Sequence, residues 1–293
     1  MSRHAFVTGA TGFLGGLLVR RLLDQGWTVD AWVRSSAAAD RLPPGVVAVS
    51  GPSLAVVQRL KDHPPMVVFH LAALYLRHHN AEDVAPLIDA NVRLEAELLD
   101  AMARTGVRAM VRAGTTFQHY RGTAGRSLNL YAATKAAAEP IAAYFADAFG
   151  IRVVSLHLTD TYGPEDRRQK LFRLLHTAAL NGQPLDMSPG EQRVDLLHGS
   201  DAVSAFIRGA ELACVDQGNV AYGVSSGCVL TLREVITLWS SVGGDCPEIR
   251  WGGRAYAERE HMAPYLPPLL PGWSPQVALA DGLRQLATAY RTT

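Results

Sequence analysis

Tyr131-Ala132-Ala133-Thr134-Lys135 sets a phenol and an ammonium four residues apart in a stretch with helical periodicity. That spacing is just over one turn, so both side chains share a face and can act on one ligand. An unperturbed phenol titrates near ~10, too high to exchange protons readily at neutral pH. A neighbouring lysine cation favours phenolate and is expected to lower that value, making Tyr131 an acid or base. Alone, such a pair equally suits the surface of an ordinary helix.

A second constellation comes early in the chain. Thr8-Gly9-Ala10-Thr11-Gly12-Phe13-Leu14-Gly15 follows the apolar stretch His4 to Val7 and opens an amphipathic run from Phe13 to Leu23, so the glycines occupy a strand-to-helix turn. Gly9 permits a tight turn, Gly12 lets backbone approach a pyrophosphate, and Gly15 lets the helix pack closely on the strand. The helix's unpaired amides and positive end face the phosphates. A flexible loop can carry three glycines by chance. Strand, spacing and helix together favour a dinucleotide site drawing on Gly9, Thr11, Gly12, Phe13, Leu14 and Gly15, with Lys135 reaching the nicotinamide ribose.

The end of the second strand bears on which dinucleotide is held. An acidic residue there would select NAD by binding both ribose hydroxyls, but the chain reads Ala31-Trp32-Val33-Arg34-Ser35-Ser36, with Asp30 too early. Arg34 can pair with a 2′-phosphate, with Ser35 and Ser36 as further donors, so NADP(H) is preferred to NAD(H). An ordinary loop arginine is the alternative.

These groups need a scaffold. Short apolar segments at Trp27 to Val33, Val46 to Ser50, Met66 to His70, Val107 to Gly114 and Ile151 to His157 continue the series begun at His4. Helical stretches separate them, notably Leu54 to Asp62, Glu82 to Arg104 and Asn129 to Phe149. Alternation of this kind predicts an α/β fold, a doubly wound, Rossmann-type parallel sheet with ligands at the carboxyl ends of the strands. Past Tyr162-Gly163-Pro164 the alternation loosens into segments rich in proline and glycine. We expect residues 1–160 plus about 194–214 to form the dinucleotide-binding domain, and about 161–193 and 215–293 a smaller C-terminal substrate-binding lobe.

At 293 residues the chain can bury a full core. A formal net charge of +1 without any basic block argues against nucleic acid as a partner. Charges interrupt every apolar run well before the ~20 residues of a membrane span, and the start leads directly into the first strand, so neither membrane association nor a signal peptide is expected. Cys214, Cys228 and Cys246 are odd in number and not at metal-ligand spacing, which suits reduced thiols in the cytoplasm. No metal is expected either, because the adjacent His78 and His79 cannot converge on one ion.

Thr8 to Gly15, Phe69-His70-Leu71-Ala72-Ala73, Asn91-Val92-Arg93-Leu94, the Tyr131/Lys135 pair and Tyr162-Gly163-Pro164 stand in the order found in the extended short-chain dehydrogenase/reductases. The chain resembles the branch called NAD(P)-dependent epimerase/dehydratases, whose usual substrates are nucleotide sugars. The resemblance implies cofactor contacts from Leu71, Ala72, Ala73 and Leu158. It also implies a hydroxyl at the end of the fifth strand that binds the reacting substrate oxygen, which falls on Thr115 with Thr116 as fallback. His70 would fix the fourth strand, and Asn91 would serve helix geometry and a proton-relay water. Helices 82–104 and 129–149 would pair across a two-fold axis into a homodimer. Ser50-Gly51-Pro52-Ser53 departs from the family, which often has an aspartate there for the adenine.

Sugar 4,6-dehydratases of this family follow the threonine with aspartate and glutamate, whereas this chain has Thr116-Phe117-Gln118-His119-Tyr120. Reduction or epimerisation is therefore favoured over dehydration. Gln118, His119 and Tyr120 suit hydrogen bonds to a hexose. Arg167, Arg168 and Lys170 suit a diphosphate or simply a solvated face, and Arg193 matches the position where relatives contact the nucleotide sugar. The resulting expectation is an NADPH-dependent reductase of a dTDP- or CDP-linked 4-keto-6-deoxyhexose. Its alternatives are an NAD-retaining epimerase and, more remotely, a silent dinucleotide-binding protein.

Overall fold

The computed structural model describes residues 3–123, 125–215 and 218–292, so Met1 and Ser2 lie outside the described residues. Strands β1 (His4–Thr8), β2 (Thr28–Val33), β3 (Val46–Ser50), β4 (Val67–His70), β5 (Ala109–Thr115) and β6 (Arg152–Leu158) alternate with helices. Those helices are α1 (Phe13–Asp24), α2 (Ser36–Ala39), α3 (Ser53–Asp62), α4 (Val84–Ile88), α5 (Leu94–Thr105) and α6 (Leu130–Phe149). The later chain adds β7 (Asp160–Tyr162), α7 (Leu171–Leu180), β8 (Leu185–Met187), β9 (Arg193–His198), α8 (Gly199–Val215) and β10 (Asn219–Val224). It closes with β11 (Val229–Thr231), α9 (Leu232–Ser241), β12 (Ile249–Trp251) and α10 (Leu279–Arg291).

The central sheet has seven strands in the order β10-β6-β5-β4-β1-β2-β3. Every pairing in it is parallel. Strand order runs outward in both directions from the β1/β4 pair, so the crevice beyond their carboxyl ends is where such a sheet takes ligands. All five residues of β1 are buried, as a strand covered on both faces requires. On one face α1 and α8 set Leu18, Leu22 and Phe206 against the sheet, and on the other α3, α5 and α6 supply Leu60, Leu98 and Ala142.

A third core holds the lobe together, with Trp239 fully buried among Phe172, Leu175, Leu283 and Leu286. Two corrections to the expected division follow. Residues 219–224, expected in the lobe, form β10 and extend the main sheet beside β6. Residues 194–198, expected in the dinucleotide-binding domain, lie in β9 of a separate three-stranded sheet with β7 and β11. The reason is topological: α8 crosses from β9 back over the main sheet, so the next strand pairs at the open edge of β6. Among the described residues no helix is long and apolar enough to cross a membrane, and all three cysteines are free.

Candidate active site

The glycine turn leaves β1 at the centre of the crevice. Gly9 has φ of 74°, and a side chain there would place Cβ 2.6 Å from the backbone nitrogen of Ala72. At Gly15 a Cβ would sit 2.0 Å from the Gly9 carbonyl oxygen, so the helix start lies directly on the turn. Thr8 fixes the neighbouring strand end, its hydroxyl oxygen accepting from the Ala72 amide at 3.2 Å and meeting His70 Nδ1 at 2.8 Å. The Leu71-Ala72-Ala73 backbone is thereby held against the glycines. No side chain caps the start of α1, and its first turn carries no acidic residue. Such a cradle of bare amides fits a diphosphate.

In the middle of β2 the acidic residue is already spent. Asp30 is buried, accepts two bonds from Arg59 at 2.7 and 2.8 Å, and lies 3.1 Å from His4. Arg34 is exposed one residue beyond the strand. Ser35 caps α2, its hydroxyl accepting from the Ala38 amide at 3.3 Å.

Helix α6 starts at Asn129, whose side chain accepts from the Ala132 amide, so Tyr131 and Lys135 face inward on its first two turns. Lys135 is fully buried and its Nζ has no hydrogen-bond partner. Burial, with Arg112 next to it, pushes this amine down to about 8, against the pull of Glu95 and Glu139. An unsatisfied buried ammonium fits a group that would bring hydroxyls to it, as a nicotinamide ribose does. The Tyr131 ring packs edge-on against Tyr75 at 4.9 Å. Burial pushes its phenol above the ordinary range, and Tyr75 and Asp160 add to the rise while Arg168 and Arg112 oppose it. This corrects the expectation that the phenol is lowered: desolvation by burial dominates.

Thr115 ends β5 and pairs with Leu158 at the end of β6, both buried. Its hydroxyl oxygen accepts from the Phe117 amide at 3.3 Å, which leaves the hydroxyl proton free to be donated. Thr116 is buried beside it. Gln118 is buried as well, and both ends of its amide serve the protein. The carbonyl accepts from the Thr115 amide at 2.9 Å and the NH2 donates to Glu139 at 2.7 Å. That use removes Gln118 from the groups free to meet a hexose. His119 Nε2 meets His157 Nδ1 at 3.0 Å, while its Nδ1 has no partner.

Of the cations expected to meet a diphosphate, Arg168 and Lys170 carry internal partners, while Arg167 is exposed. Arg168 donates to Asp166 and to Thr161 and lies over the Phe13 ring at 5.1 Å, against the glycine turn. Lys170 donates to Asp160 at 2.8 Å. Arg193 is exposed at the start of β9. Asp160 itself escaped the sequence reading, although it stands just before Tyr162-Gly163-Pro164. Burial works against its charge, but Lys170 and Arg168 hold it below the ordinary carboxylate range.

Two further features escaped it: the turn that carries Asn91, and a buried ion pair. A π-helical turn over Asp89–Arg93 interrupts the long helix and turns Asn91 inward. There it brackets Leu74, accepting from its amide at 2.8 Å and donating to its carbonyl at 3.0 Å, and it also donates to Thr134. Beneath Lys135, Arg112 and Glu95 form a fully buried ion pair at 2.6 Å. His70 Nε2 lies 3.6 Å from the same carboxylate, and burial, with Lys135 and Arg112 nearby, holds that imidazole neutral.

Comparison with known proteins agrees with this geometry. Residues 5–220 match the profile of the NAD dependent epimerase/dehydratase family. A dTDP-glucose 4,6-dehydratase of Streptomyces griseus is 28% identical, the match covering 99% of this chain and 94% of the relative. A UDP-glucose 4-epimerase of Mycolicibacterium smegmatis is 26% identical over 98% of each chain. Among solved structures, MoeE5 in complex with UDP-glucuronic acid and NAD superposes with a TM-score of 0.82 at 27% identity, covering 99% of both chains. With a matching profile across most of its length and a Rossmann-like parallel sheet, the chain belongs to the NAD dependent epimerase/dehydratase family.

Proposed function

We propose that this protein reduces the 4-keto group of a dTDP- or CDP-linked 4-keto-6-deoxyhexose, with NADPH as the electron donor. The observation that carries the reading lies beside β2, where Asp30 is engaged by Arg59 and His4 while Arg34 stands exposed one residue beyond the strand. A free guanidinium there suits the 2′-phosphate of NADPH, the donor that a net reduction consumes.

In this reading the glycine turn and α1 hold the diphosphate of the dinucleotide, with Phe13, Leu14, Leu71, Ala72, Ala73 and Leu158 around it. Arg34 and Ser35 take the 2′-phosphate, since Asp30 is engaged by Arg59 and His4. Lys135 binds the nicotinamide ribose. The bound nicotinamide supplies the hydride. Thr115 donates its free hydroxyl proton to the keto oxygen and holds it, and Tyr131 then delivers its own proton to that oxygen. Thr116, His119, Arg168, Lys170 and Arg193 line the sugar and diphosphate side.

A second reading is an epimerase that retains NAD. It is favoured by the full-length likeness to a UDP-glucose 4-epimerase and to the MoeE5 complex, which contains NAD. Mixing the purified protein with NADPH or NADH and a panel of nucleotide-linked 4-ketosugars, while following nicotinamide absorbance, separates the two. Stoichiometric loss of NADPH supports the reductase. Copurified NAD with no net cofactor turnover supports the epimerase. Turnover unchanged in Tyr131→Phe would revive the silent dinucleotide-binding protein.

We also propose a homodimer through the helical segments 82–104 and 129–149. Val84, Ile88, Tyr144 and Phe149 on them are exposed apolar side chains of the kind a partner helix covers. Sedimentation at equilibrium tests it.

A further inference from the structure

Thr115 and Lys135 belong to different elements, β5 and α6, set well apart in the sequence. Something must hold the strand end and the helix in register. The ion pair below does part of this, because Arg112 also donates to the Lys135 carbonyl at 3.3 Å. Closer to the surface the junction is made by one carboxylate, Glu139, a further turn along α6 from Lys135.

A single oxygen of Glu139 gathers three neighbours. It accepts from Gln118 Nε2 at 2.7 Å, meets His157 Nε2 at 2.8 Å and lies 3.8 Å from Arg112. Gln118 passes the connection on, since its carbonyl takes the Thr115 amide. His157, on β6, passes it outward to His119. The packing leaves no slack: a Cβ at Gly114 would fall 2.5 Å from the His157 ring and 3.2 Å from the Gln118 oxygen. Pro140 follows immediately and cannot donate a backbone bond, so α6 loses one of its own ties where the side-chain ties begin.

We propose that Glu139 is a positioning residue for the reaction, holding the Thr115 hydroxyl in register with Tyr131 and Lys135 through Gln118. The proposal rests on the catalytic roles given above. Glu139 touches neither substrate nor dinucleotide and acts only through its neighbours. A misplacement of about 1 Å at a reacting group costs on the order of a hundredfold in rate, so a loosened Thr115 should show in kcat before it shows in binding.

The test compares Glu139→Leu, Gln118→Met, their double variant, Glu139→Gln and Tyr131→Phe. Each is measured for turnover of dTDP-4-keto-6-deoxyglucose with NADPH and, by fluorescence, for NADPH affinity. Glu139→Leu and Gln118→Met should each lower kcat by about tenfold or more, with KM and NADPH affinity unchanged. The double variant should be no worse than the poorer single one, because both break one chain of contacts. Glu139→Gln should recover most of the rate, since its amide oxygen still accepts from Gln118 and His157.

Unchanged kcat in both single variants, losses that multiply in the double variant, or losses confined to KM would overturn the proposal. If Glu139→Leu does not fold, Gln118→Met decides alone, by loss or retention of kcat. Full turnover in Tyr131→Phe would sink the catalytic reading itself. A dead Tyr131→Phe beside fully active Glu139 and Gln118 variants would sink only the positioning role.

Discussion

The two walls of the cleft are finished differently. On the dinucleotide wall donors stand without partners: the first amides of α1 take no side-chain cap, and Lys135 Nζ is buried and unbonded. On the second wall, the turn after β7 that lays Arg168 over Phe13, two cations are already neutralised, Arg168 by Asp166 and Lys170 by Asp160. An anion meeting the first wall gains bonds that nothing else makes. One meeting the second must displace a carboxylate or share its cation. On the roles proposed above, affinity for the cofactor is fixed largely by backbone, and substrate choice by ion pairs able to rearrange.

The largest expected effect comes from filling the first wall. In Gly15→Val the new side chain collides with the Gly9 carbonyl, so NADPH affinity should fall by more than about a hundredfold in calorimetric titration, following the loss of close helix–turn packing. The lobe's separate core, around Trp239, should keep its near-ultraviolet circular dichroism.

Lys135→Met should remove the ribose contact and lower turnover on the order of a hundredfold, while raising thermal stability of the unliganded protein at pH 7. The sign follows from linkage. The folded amine is held at about 8 against an ordinary 10.5, so between those values the unfolded chain binds the extra proton and stability rises with pH. Below pH 8 the protein carries the whole cost of a buried charge, about 3 kcal/mol. The stabilisation in Lys135→Met should therefore be full at pH 7 and fade as pH approaches 10.5. Thermal melts across that range check it. A variant no more stable than wild type at pH 7 would mean that the ammonium finds partners in solution.

Arg34→Ala should weaken NADPH about tenfold and leave NADH untouched, the scale of a lost charge-assisted bond. The smallest change belongs to the second wall. Asp160→Asn frees Lys170 and should lower KM for the nucleotide sugar by roughly twofold to fivefold, in the range of an exposed ion pair. A higher KM would instead make Asp160 an acceptor for the sugar.

What could be read from the sequence follows this division. Gly9 to Gly15 and the Tyr131/Lys135 spacing are local patterns, and local geometry fixed them. Asp30 was read as mid-strand, where it lies, but its partners His4 and Arg59 were invisible. The second wall was harder, because whether Arg168 and Lys170 meet a ligand or a carboxylate depends on how the turn after Tyr162 folds back. The same holds for Glu139, whose partners Gln118 and His157 come from other elements. Strand β10 was missed because Asn219-Val220-Ala221-Tyr222-Gly223 is only partly buried and weakly apolar. The phenol went the wrong way because a sequence shows a nearby lysine but not the burial that outweighs it.

The most direct test follows the hydrogen itself. NADPH carrying deuterium at the transferable position of its nicotinamide is mixed with dTDP-4-keto-6-deoxyglucose and either the wild-type protein or Tyr131→Phe, and the sugar product is read by NMR. Deuterium at the sugar C4 with the wild type, matched mole for mole by NADP+, and almost none with Tyr131→Phe is the predicted result. A sugar that gains no deuterium, or equal labelling by both proteins, would contradict it.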